Sequence, residues 1–468
     1  MISPKGGEAF KYTDHKEGIN SYRWSPDGKC IAFTSTEPRS KESEVREKQY
    51  GRFEVEDSEY RLSHLWVIEG YPDQKPEPRR LISGDEYTVG SFRWSPDGTK
   101  IAFDHRPDPL INSNSKTDIS ILDVVSGDIT PLVMQSGSDS SPMWSPDGSW
   151  ILFSTKMGDD RYYTNSELAL VAATGGDITV LTKAFDENLS PVKWTAAGVY
   201  CLASQKVFRQ LFLMDPKNGN IEKVATKPEN INSLSVASDS KTAALYGFDR
   251  TSLAEIYLTS LDDHRLEPIT RMTDQVKDWK TGSREVVEWK SVDGVTIDGI
   301  LWKPEDFEAG RKYPLLVIIH GGPSSTSRPV LVSGGVYPHL QWLEKGALIL
   351  QPNYRGSTGY GEKFRALNVR NLGVGDMWDV ESGVDHLITL GYIDAERVGA
   401  MGWSQGGYIS AFLTTNSTKF KAISVGAGIS NWVTYYVNTD IHPFTRHYLN
   451  ATPWEDMDVY LKTSPMTN

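Results

Sequence analysis

Three copies of one five-residue string constrain the fold of this 468-residue chain more than any other feature. The string Trp-Ser-Pro-Asp-Gly begins at Trp24, Trp94 and Trp144, and a degraded copy begins at Trp194. The proline fixes its own φ angle, the aspartate side chain can hydrogen-bond to the nearby backbone, and the glycine can adopt a positive φ. Each string therefore predicts a tight turn. An alternating apolar stretch follows each exact copy, as is typical of a strand that starts after a turn.

A second apolar strand and a glycine-containing hairpin turn follow most copies, which makes each unit about four strands long. A period of roughly 40–50 residues with such units is typical of a β-propeller blade. We therefore predict a β-propeller over residues 1–282, with five largely complete blades and a partial one at the start. The partial blade is expected because Pro4–Thr13 is similar to the hairpin at Ala173–Thr182. A β-sandwich with incidental turns is the alternative.

The interval after the first copy is longer than the others because of a polar insertion, Glu37–Ser63. A run so rich in charged residues is typical of a solvated loop. In a propeller such a loop could also reach toward the mouth where substrate enters.

Charge and composition exclude several classes of protein. The net charge of −12 argues against non-specific binding to nucleic acid or to anionic membranes. Two cysteines, Cys30 and Cys201, support neither a disulfide scaffold nor a cysteine-based zinc site. No apolar run reaches the roughly 18–20 residues that span a bilayer. The first residues lack the charged and apolar regions of a signal peptide.

Residues 283–468 follow a different pattern, in which apolar strands alternate with helices. Pro314–Ile319, Ala347–Leu350, Arg397–Met401 and Ala422–Val425 are the predicted strands, and Met377–Leu390 has apolar residues at helical spacing. This alternation predicts a parallel sheet covered on both faces, that is, an α/β-hydrolase domain.

The candidate nucleophile lies between one of these strands and the next helix. Gly402-Trp-Ser404-Gln-Gly406 fits the G-x-S-x-G pattern of a nucleophile elbow. An oxyanion hole needs two backbone N–H groups aimed at one point. We expect the first from Gln405 and the second from Gly321 or Gly322, in the loop after the strand that ends near His320. His320 precedes the serine, so we expect it to hold structure by hydrogen bonding rather than to act as the base.

The repeats, together with His320-Gly-Gly-Pro, Asn353-Tyr-Arg-Gly-Ser and the nucleophile motif, resemble the prolyl oligopeptidase family of serine peptidases. The acylaminoacyl-peptidase and dipeptidyl-peptidase branches are the most similar. The resemblance covers nearly the whole chain. It implies a serine peptidase that hydrolyses short oligopeptides near their N-terminus and a propeller that screens substrates by size. It also implies that Ser404 is the nucleophile and that Gln405 and Gly322 are the oxyanion donors.

Further site residues come only from the resemblance. In the dipeptidyl-peptidase branch, aromatic residues after the sixth strand line the pocket for the residue before the scissile bond. Trp432 and Tyr435 occupy that stretch here and are the candidate substrate-binding residues. The glutamates that bind the substrate amine in the family lie near propeller insertions, where Glu54 and Glu56 are the candidates.

The acid and base of a catalytic triad are not found at the expected places. In this fold they follow the nucleophile after later strands. Only a helix, a strand and a helical insertion follow Ser404, and the acidic and histidine side chains of that insertion are not expected to serve: Asp440, His442, His447, Asp456 and Asp458. The resemblance places the strand that carries the Asp just after Asn468. We therefore expect a piece of a longer peptidase, truncated at both ends and inactive alone.

The sequence thus predicts a serine peptidase that needs no cofactor and no metal ion and that acts on a peptide substrate by Ser-His-Asp acyl transfer. It gives no support for a nucleic-acid or membrane partner, and it leaves a homo-oligomer open. A cytoplasmic and a periplasmic location are equally compatible with it. The alternatives are an esterase of the same fold and a propeller binding protein without catalysis.

Overall fold

The computed structural model describes residues 1–2, 5–53, 58–70, 77–224, 227–237 and 239–467. The chain forms two compact units. Unit 1 comprises residues 1–160 and 166–183, and unit 2 comprises residues 161–165 and 184–468. No helix in the described part of the chain is long and apolar enough to cross a membrane.

Unit 1 contains three four-stranded antiparallel sheets, each built from strands consecutive in sequence. The first sheet holds β1 (Ser21–Trp24), β2 (Cys30–Thr36), β3 (Ser63–Glu69) and β4 (Arg79–Arg80). The second holds β5 (Thr88–Trp94), β6 (Lys100–Arg106), β7 (Asp118–Asp123) and β8 (Ile129–Val133). The third holds β9 (Asp139–Trp144), β10 (Trp150–Thr155), β11 (Glu167–Ala172) and β12 (Thr179–Val180). A 3-10 helix, Ile111–Lys116, connects β6 and β7.

The repeated string forms the same turn in every copy. In the first, the Ser25 hydroxyl donates to the Asp27 carboxylate at 2.7 Å and accepts from the Cys30 N–H at 2.9 Å. Gly28 has φ 72°, a conformation that glycine adopts at little cost. The tryptophan ends the preceding strand, as predicted, because the turn begins directly after it.

The tryptophans of the repeat also join neighbouring sheets within unit 1. The Trp94 indole Nε1 donates to the backbone oxygen of Arg23 at 3.3 Å, and the Trp144 indole Nε1 donates to that of Arg93 at 3.1 Å. Each donor comes from one sheet and each acceptor from the sheet before it. We call this contact the indole clasp.

Unit 2 contains two more four-stranded antiparallel sheets. Their strands are β13 (Ser190–Thr195), β14 (Gly198–Gln205), β15 (Phe208–Met214) and β16 (Ile221–Lys223), then β17 (Asn230–Val236), β18 (Thr242–Phe248), β19 (Glu255–Ser260) and β20 (Leu266–Pro268). A 3-10 helix, Met272–Val276, follows. The five four-stranded sheets are the predicted propeller blades.

The rest of unit 2 is built around a six-stranded sheet. Its strands are β21 (Ser283–Lys290), β22 (Thr296–Lys303), β23 (Tyr313–Ile319), β24 (Leu348–Asn353), β25 (Ile393–Trp403) and β26 (Ala422–Gly426), in the order β21-β22-β24-β23-β25-β26. Its helices are α2 (His339–Glu344), α3 (Glu362–Ala366), α4 (Val374–Thr389), α5 (Gln405–Asn416), α6 (Trp432–Asn438), α7 (His442–Leu449) and α8 (Met457–Lys462), with a final 3-10 turn at Pro465–Thr467. The predicted change to an α/β-hydrolase fold is therefore confirmed.

Alternate residues of β23 enter two different cores. Leu315, Val317 and Ile319 pack in the core that includes α4 and α5, and Leu316 and Ile318 pack in the core on the other side. A strand buried on both faces needs apolar residues at every position, which explains its continuous apolar run.

Two expectations are corrected. The sheet is mixed rather than parallel, because β21, β22 and β24 pair antiparallel to one another. The insertion after the first copy contains a helix, α1 (Lys41–Tyr50), rather than only a loop. The Ser40 side chain caps its first turn by accepting from the Ser43 N–H, and Gly51 ends it. None of its residues is buried, so the charged run is solvated as expected.

The described part of residues 1–20 forms no strand. Met1 and Phe10 exchange two backbone hydrogen bonds of 2.7 Å there. The partial first blade and the boundary at residue 282 stay predictions. The two compact units divide the blades between them, whereas β20 ends at Pro268 and β21 begins at Ser283.

Candidate active site

Ser404 occupies the single position between β25 and α5. Its backbone has φ 59° and ψ −121°, a strained conformation for a residue with a side chain. Its N–H donates to the Gly426 oxygen at 3.0 Å, and its carbonyl accepts from the Tyr408 N–H at 2.8 Å. The side chain is exposed. The predicted strand-turn-helix setting of the serine is therefore present.

The glycines beside the serine are required by close backbone contacts. A Cβ at Gly406 would lie 2.0 Å from the Ile319 oxygen, and a Cβ at Gly407 would lie 1.9 Å from the Gly426 oxygen. Both atoms belong to the main chain and cannot move aside. Side chains are thus excluded where α5 begins, so the helix starts tightly against β23 and β26.

The loop that follows β23 lies against the serine. The position that a Cβ would take at Gly321 is 3.4 Å from the Ser404 Cβ and 3.9 Å from its Oγ. Within the described residues, the N–H groups of Gly322 and Gln405 donate no hydrogen bond. Gln405 is the first residue of α5, so its N–H has no acceptor inside the helix. The assignment of these two groups as oxyanion donors stays a prediction.

His320 forms one hydrogen bond inside this loop and one to the loop after β24, as expected for a structural role. Its Nδ1 lies 2.7 Å from the Gly321 oxygen and its Nε2 lies 3.0 Å from the Ser357 Oγ. The ring stacks on Tyr354, with centroids 4.5 Å apart. Burial lowers the pKa of His320 to about 4, so the ring is neutral at pH 7.

The loop after β24 holds the loop after β23 in place. The Tyr354 hydroxyl donates to the His320 oxygen at 2.9 Å. The Asn353 carboxamide accepts from the Ser327 N–H at 2.7 Å and donates to the Ser327 oxygen at 3.1 Å. These strands are parallel neighbours in the sheet, so the two loops emerge side by side.

A buried ion pair fixes the loop after β24. The Arg355 guanidinium donates from Nε and Nη2 to the two oxygens of Asp379, at 2.9 and 2.8 Å, and the Arg355 N–H donates to the same carboxylate at 2.7 Å. Asp293 binds the other side of the guanidinium at 2.9 and 3.0 Å. Both carboxylates raise the pKa of Arg355. No role for this pair was predicted from the sequence, since Arg355 and Asp379 are 24 positions apart.

A second buried acid, Asp376, lies in the first turn of α4. Its Oδ1 accepts from the Met377 N–H at 2.9 Å, and its Oδ2 has no partner among the described residues. Burial raises the pKa of Asp376 to about 7. Its isolated position in a helical pattern gave no signal in the sequence.

Residues of the fourth blade, which is the sheet β13–β16, bind the continuation of the loop after β24. The Glu187 carboxylate accepts from the Gly359 N–H and from Arg365 Nη1, both at 2.6 Å. Both charged side chains are almost completely buried. The Lys206 N–H donates to the Gly359 oxygen at 2.7 Å. Within unit 2, blade and hydrolase sheet are therefore joined next to the loop that supports His320.

The predicted substrate-binding residues lie on α6. Trp432 is fully buried, with its ring 5.3 Å from that of Tyr408 and 5.5 Å from that of Tyr435. Tyr435 is half-buried. The structure offers no exposed surface on Trp432, and the role of both residues stays a prediction. Glu54 and Glu56 lie outside the described residues.

No hydrogen bond to the Ser404 hydroxyl is found in the part of the chain that the structure describes. Acidic and histidine residues of the helical insertion have other contacts. Asp456 caps α8 and pairs with Arg370, and the His442 ring packs edge-on against Tyr436.

The sequence profile of the prolyl oligopeptidase family matches residues 336–468, which include the nucleophile motif. Dipeptidyl-peptidase 5 of Porphyromonas gingivalis is 25% identical over 96% of this chain and 69% of its own length. An uncharacterised peptidase of Bacillus subtilis, YuxL, is 28% identical over 100% of this chain and 74% of its own length.

A solved structure has the same fold. An acylaminoacyl peptidase in complex with Z-Gly-Gly-Phe-chloromethyl ketone superimposes with a TM-score of 0.81 at 24% identity. The match covers 100% of this chain and 72% of that protein. At this identity the likeness establishes the fold alone.

Proposed function

We propose that this chain is a serine peptidase of the prolyl oligopeptidase family, whose profile matches residues 336–468, that Ser404 is its nucleophile and that its substrates are short peptides cleaved near their N-terminus. The proposal of this substrate class is supported by the names of similar proteins, which are a dipeptidyl peptidase and an acylaminoacyl peptidase. The single observation that carries the proposal is the position of Ser404, at a strained turn beside two backbone N–H groups that find no acceptor among the described residues.

The proposed chemistry follows from that position. The Ser404 hydroxyl attacks the carbonyl carbon of the scissile bond as a general base takes its proton. The carbonyl oxygen becomes an oxyanion, and the N–H groups of Gln405 and Gly322 donate to it. The positive end of the α5 dipole lies at the same point and stabilises the same charge. The amine leaves with a proton, and water then hydrolyses the acyl-enzyme.

The strained backbone of Ser404 serves this role. Positive φ turns the side chain out of the line of the strand, where it stays exposed while its N–H and carbonyl remain hydrogen-bonded. The nucleophile is thus presented without being free to move. Preorganised groups need no reorganisation when charge develops, which is where most of their catalytic benefit arises.

A fluorophosphonate probe tests the nucleophile. The protein expressed from its intact gene should be labelled at one serine, and the variant Ser404→Ala should not be labelled. Ser424→Ala is the matched control, because the side chain of this exposed serine on the neighbouring strand β26 makes no hydrogen bond within the described residues. Labelling that persists in Ser404→Ala would overturn the proposal.

Substrate panels test the reaction. Dipeptidyl p-nitroanilides with a free amine, acylated aminoacyl p-nitroanilides and p-nitrophenyl esters should be compared at equal enzyme concentration. We expect higher kcat/KM for one of the two amide classes than for the simple esters. The reverse order, with ester hydrolysis only, would identify an esterase of the same fold.

A further inference from the structure

The short segment Arg161–Asn165 lies between β10 and β11 in the sequence, but it is part of unit 2. Residues of α3 hold its main chain. The Asn165 N–H donates to Glu362 Oε2 at 2.8 Å, and the Tyr163 oxygen accepts from Arg365 Nε at 3.0 Å. The backbone of the segment is therefore fixed beside this helix of the hydrolase fold.

Two consecutive tyrosines of this segment differ in burial. Tyr163 is 7% exposed, packs in the core that includes α4 and α5, and has its ring 5.9 Å from that of Tyr448. Tyr162 is 39% exposed. Its ring lies 5.5 Å from that of Phe444 and 5.6 Å from that of His447, both on α7. Tyr163 thus anchors the segment, and Tyr162 leaves a large part of its side chain accessible beside α7.

The face of α7 that Tyr162 contacts leads to the loop after β23. Phe444 and Tyr448 are one turn apart on this helix, and their ring centroids are 4.9 Å apart. Burial raises the pKa of Tyr448, and a hydrogen bond with the Ser324 side chain lowers it in part. Ser324 follows Gly322 by two positions. Three successive side-chain contacts therefore connect Tyr162 to the loop that is expected to bind the oxyanion.

Tyr162 also adjoins the predicted substrate-binding residues. Tyr435 and Phe444 are half-buried, and their rings pack against the fully buried Trp432 at centroid distances of 5.5 and 6.3 Å. Burial raises the pKa of Tyr162, and the nearby Tyr435 and Asp440 raise it further, so its hydroxyl is neutral at pH 7. The partly exposed rings of Tyr435, Phe444 and Tyr162 thus form one aromatic group, which we call the aromatic wall.

We propose that Tyr162 is a specificity-determining residue: as part of the aromatic wall, it contacts the side chain of the substrate residue before the scissile bond and favours a large apolar side chain there. Aromatic rings offer large apolar contact areas, and a larger apolar side chain gains more from burial against them. The inference rests on the proposed role of Ser404 as the nucleophile. It deepens that role by naming the class of side chain that the site accepts best.

Substrate pairs that differ only in this side chain test the proposal. The protein expressed from its intact gene is assayed with Gly-Phe and Gly-Ala p-nitroanilides, or with acetyl-Phe and acetyl-Ala p-nitroanilides if the acylated class is the one cleaved. We expect Tyr162→Ala to lower the ratio of kcat/KM for Phe over Ala roughly 10-fold, because even one methylene in an apolar pocket can change kcat/KM by about 10- to 200-fold. Tyr162→Phe keeps the ring and should keep the ratio. An unchanged or higher ratio in Tyr162→Ala would overturn the proposal.

Tyr246→Ala is the matched control for loss of a partly exposed tyrosine. Tyr246 lies on β18 in the same unit and is 43% exposed, close to the 39% of Tyr162. We expect this variant to keep the wild-type ratio, and equal falls in the two alanine variants would overturn the proposal. Thermal unfolding checks that Tyr162→Ala is folded. Its Tm should stay close to that of the wild type, because the main chain of the segment is held through Tyr163 and Asn165.

A spectroscopic measurement covers the case in which the alanine variant does not fold. Fluorine-19 NMR of the protein with 3-fluorotyrosine at position 162 detects contact between this ring and a bound ligand. A peptide aldehyde with a Phe side chain, bound to Ser404, should shift the resonance, and the matching Ala aldehyde should shift it less. Equal shifts with the two aldehydes, or none, would overturn the proposal.

The fluorophosphonate probe separates this inference from the proposed function. If Ser404 is labelled and the ratio of kcat/KM does not respond to Tyr162→Ala, the inference alone fails. If Ser404 is not labelled in the wild type, the proposed function fails, and the inference fails with it.

Discussion

Replacing Asp379 by Asn should destabilise unit 2 strongly. The carboxylate is completely buried and receives three hydrogen bonds from Arg355, a residue whose own side chain is almost fully buried. Asn offers one acceptor oxygen and places an NH2 against a donor, so Arg355 loses a charge partner and at least one bond. Breaking a buried pair from one side costs about 3–5 kcal/mol.

The remaining partner of the guanidinium sets the size of the effect. Asp293 still binds Arg355, but its side chain is 36% exposed and it does not reach Nε. We therefore expect the lower end of the range, about 3 kcal/mol, since part of the charge stays paired. At about 2–4 °C per kcal/mol, this predicts a loss in Tm of roughly 6–12 °C.

Differential scanning calorimetry measures this loss, with Glu396→Gln as the matched control. That carboxylate also pairs with a basic side chain, Lys421, at 3.1 Å, but it is 80% exposed. Exposed pairs contribute about 0–1 kcal/mol, so its Tm should barely move. Equal Tm changes for the two carboxylate-to-amide variants would refute the reasoning that burial makes the Arg355 pair important.

Three further predictions concern other parts of the chain. Trp144→Phe removes the indole clasp between two blades and should lower the free energy of unfolding of unit 1 by about 1 kcal/mol, measured by urea unfolding. Trp150→Phe is the control and should have a smaller effect, because it removes no indole hydrogen bond within the described residues. Gly407→Ala places a Cβ 1.9 Å from a carbonyl oxygen and should abolish fluorophosphonate labelling or soluble expression, whereas Gly334→Ala, with nothing within 4 Å, should do neither. Asp376→Asn should raise Tm more at pH 8 than at pH 4. The buried acid has a pKa of about 7 and the unfolded one about 4, so wild-type stability falls as pH rises between these values. A Tm difference independent of pH would contradict this account.

The blades could be predicted because their signals are local. A turn of Ser, Pro, Asp and Gly is stabilised by atoms within five residues of one another, so the string alone indicates it. The helix α1 was not predicted, since its charged residues have no apolar face to mark a helical period. Its cap at Ser40 was the local signal that could have identified it.

The candidate site also has parts with a local sequence signal and parts without one. Ser404 and its glycines could be predicted because the elbow is one continuous segment between β25 and α5. The loop after β23 is held by Tyr354 and Ser357, which bind His320, and Asp379 in turn holds the loop that carries these two residues. They come together only through the order of strands in the sheet. That order, with β24 beside β23, is a tertiary property that no local pattern specifies.

The indole clasp has a consequence for how a chain of this kind can diverge. Its acceptor is a main-chain oxygen, and every amino acid supplies one, so the receiving blade needs no particular residue at that position. A gene segment that encodes one blade therefore also encodes the tryptophan that hydrogen-bonds to the preceding blade, whichever blade that is. Duplication or loss of a whole segment leaves the junction chemically intact, while the side chains of each blade are free to change independently.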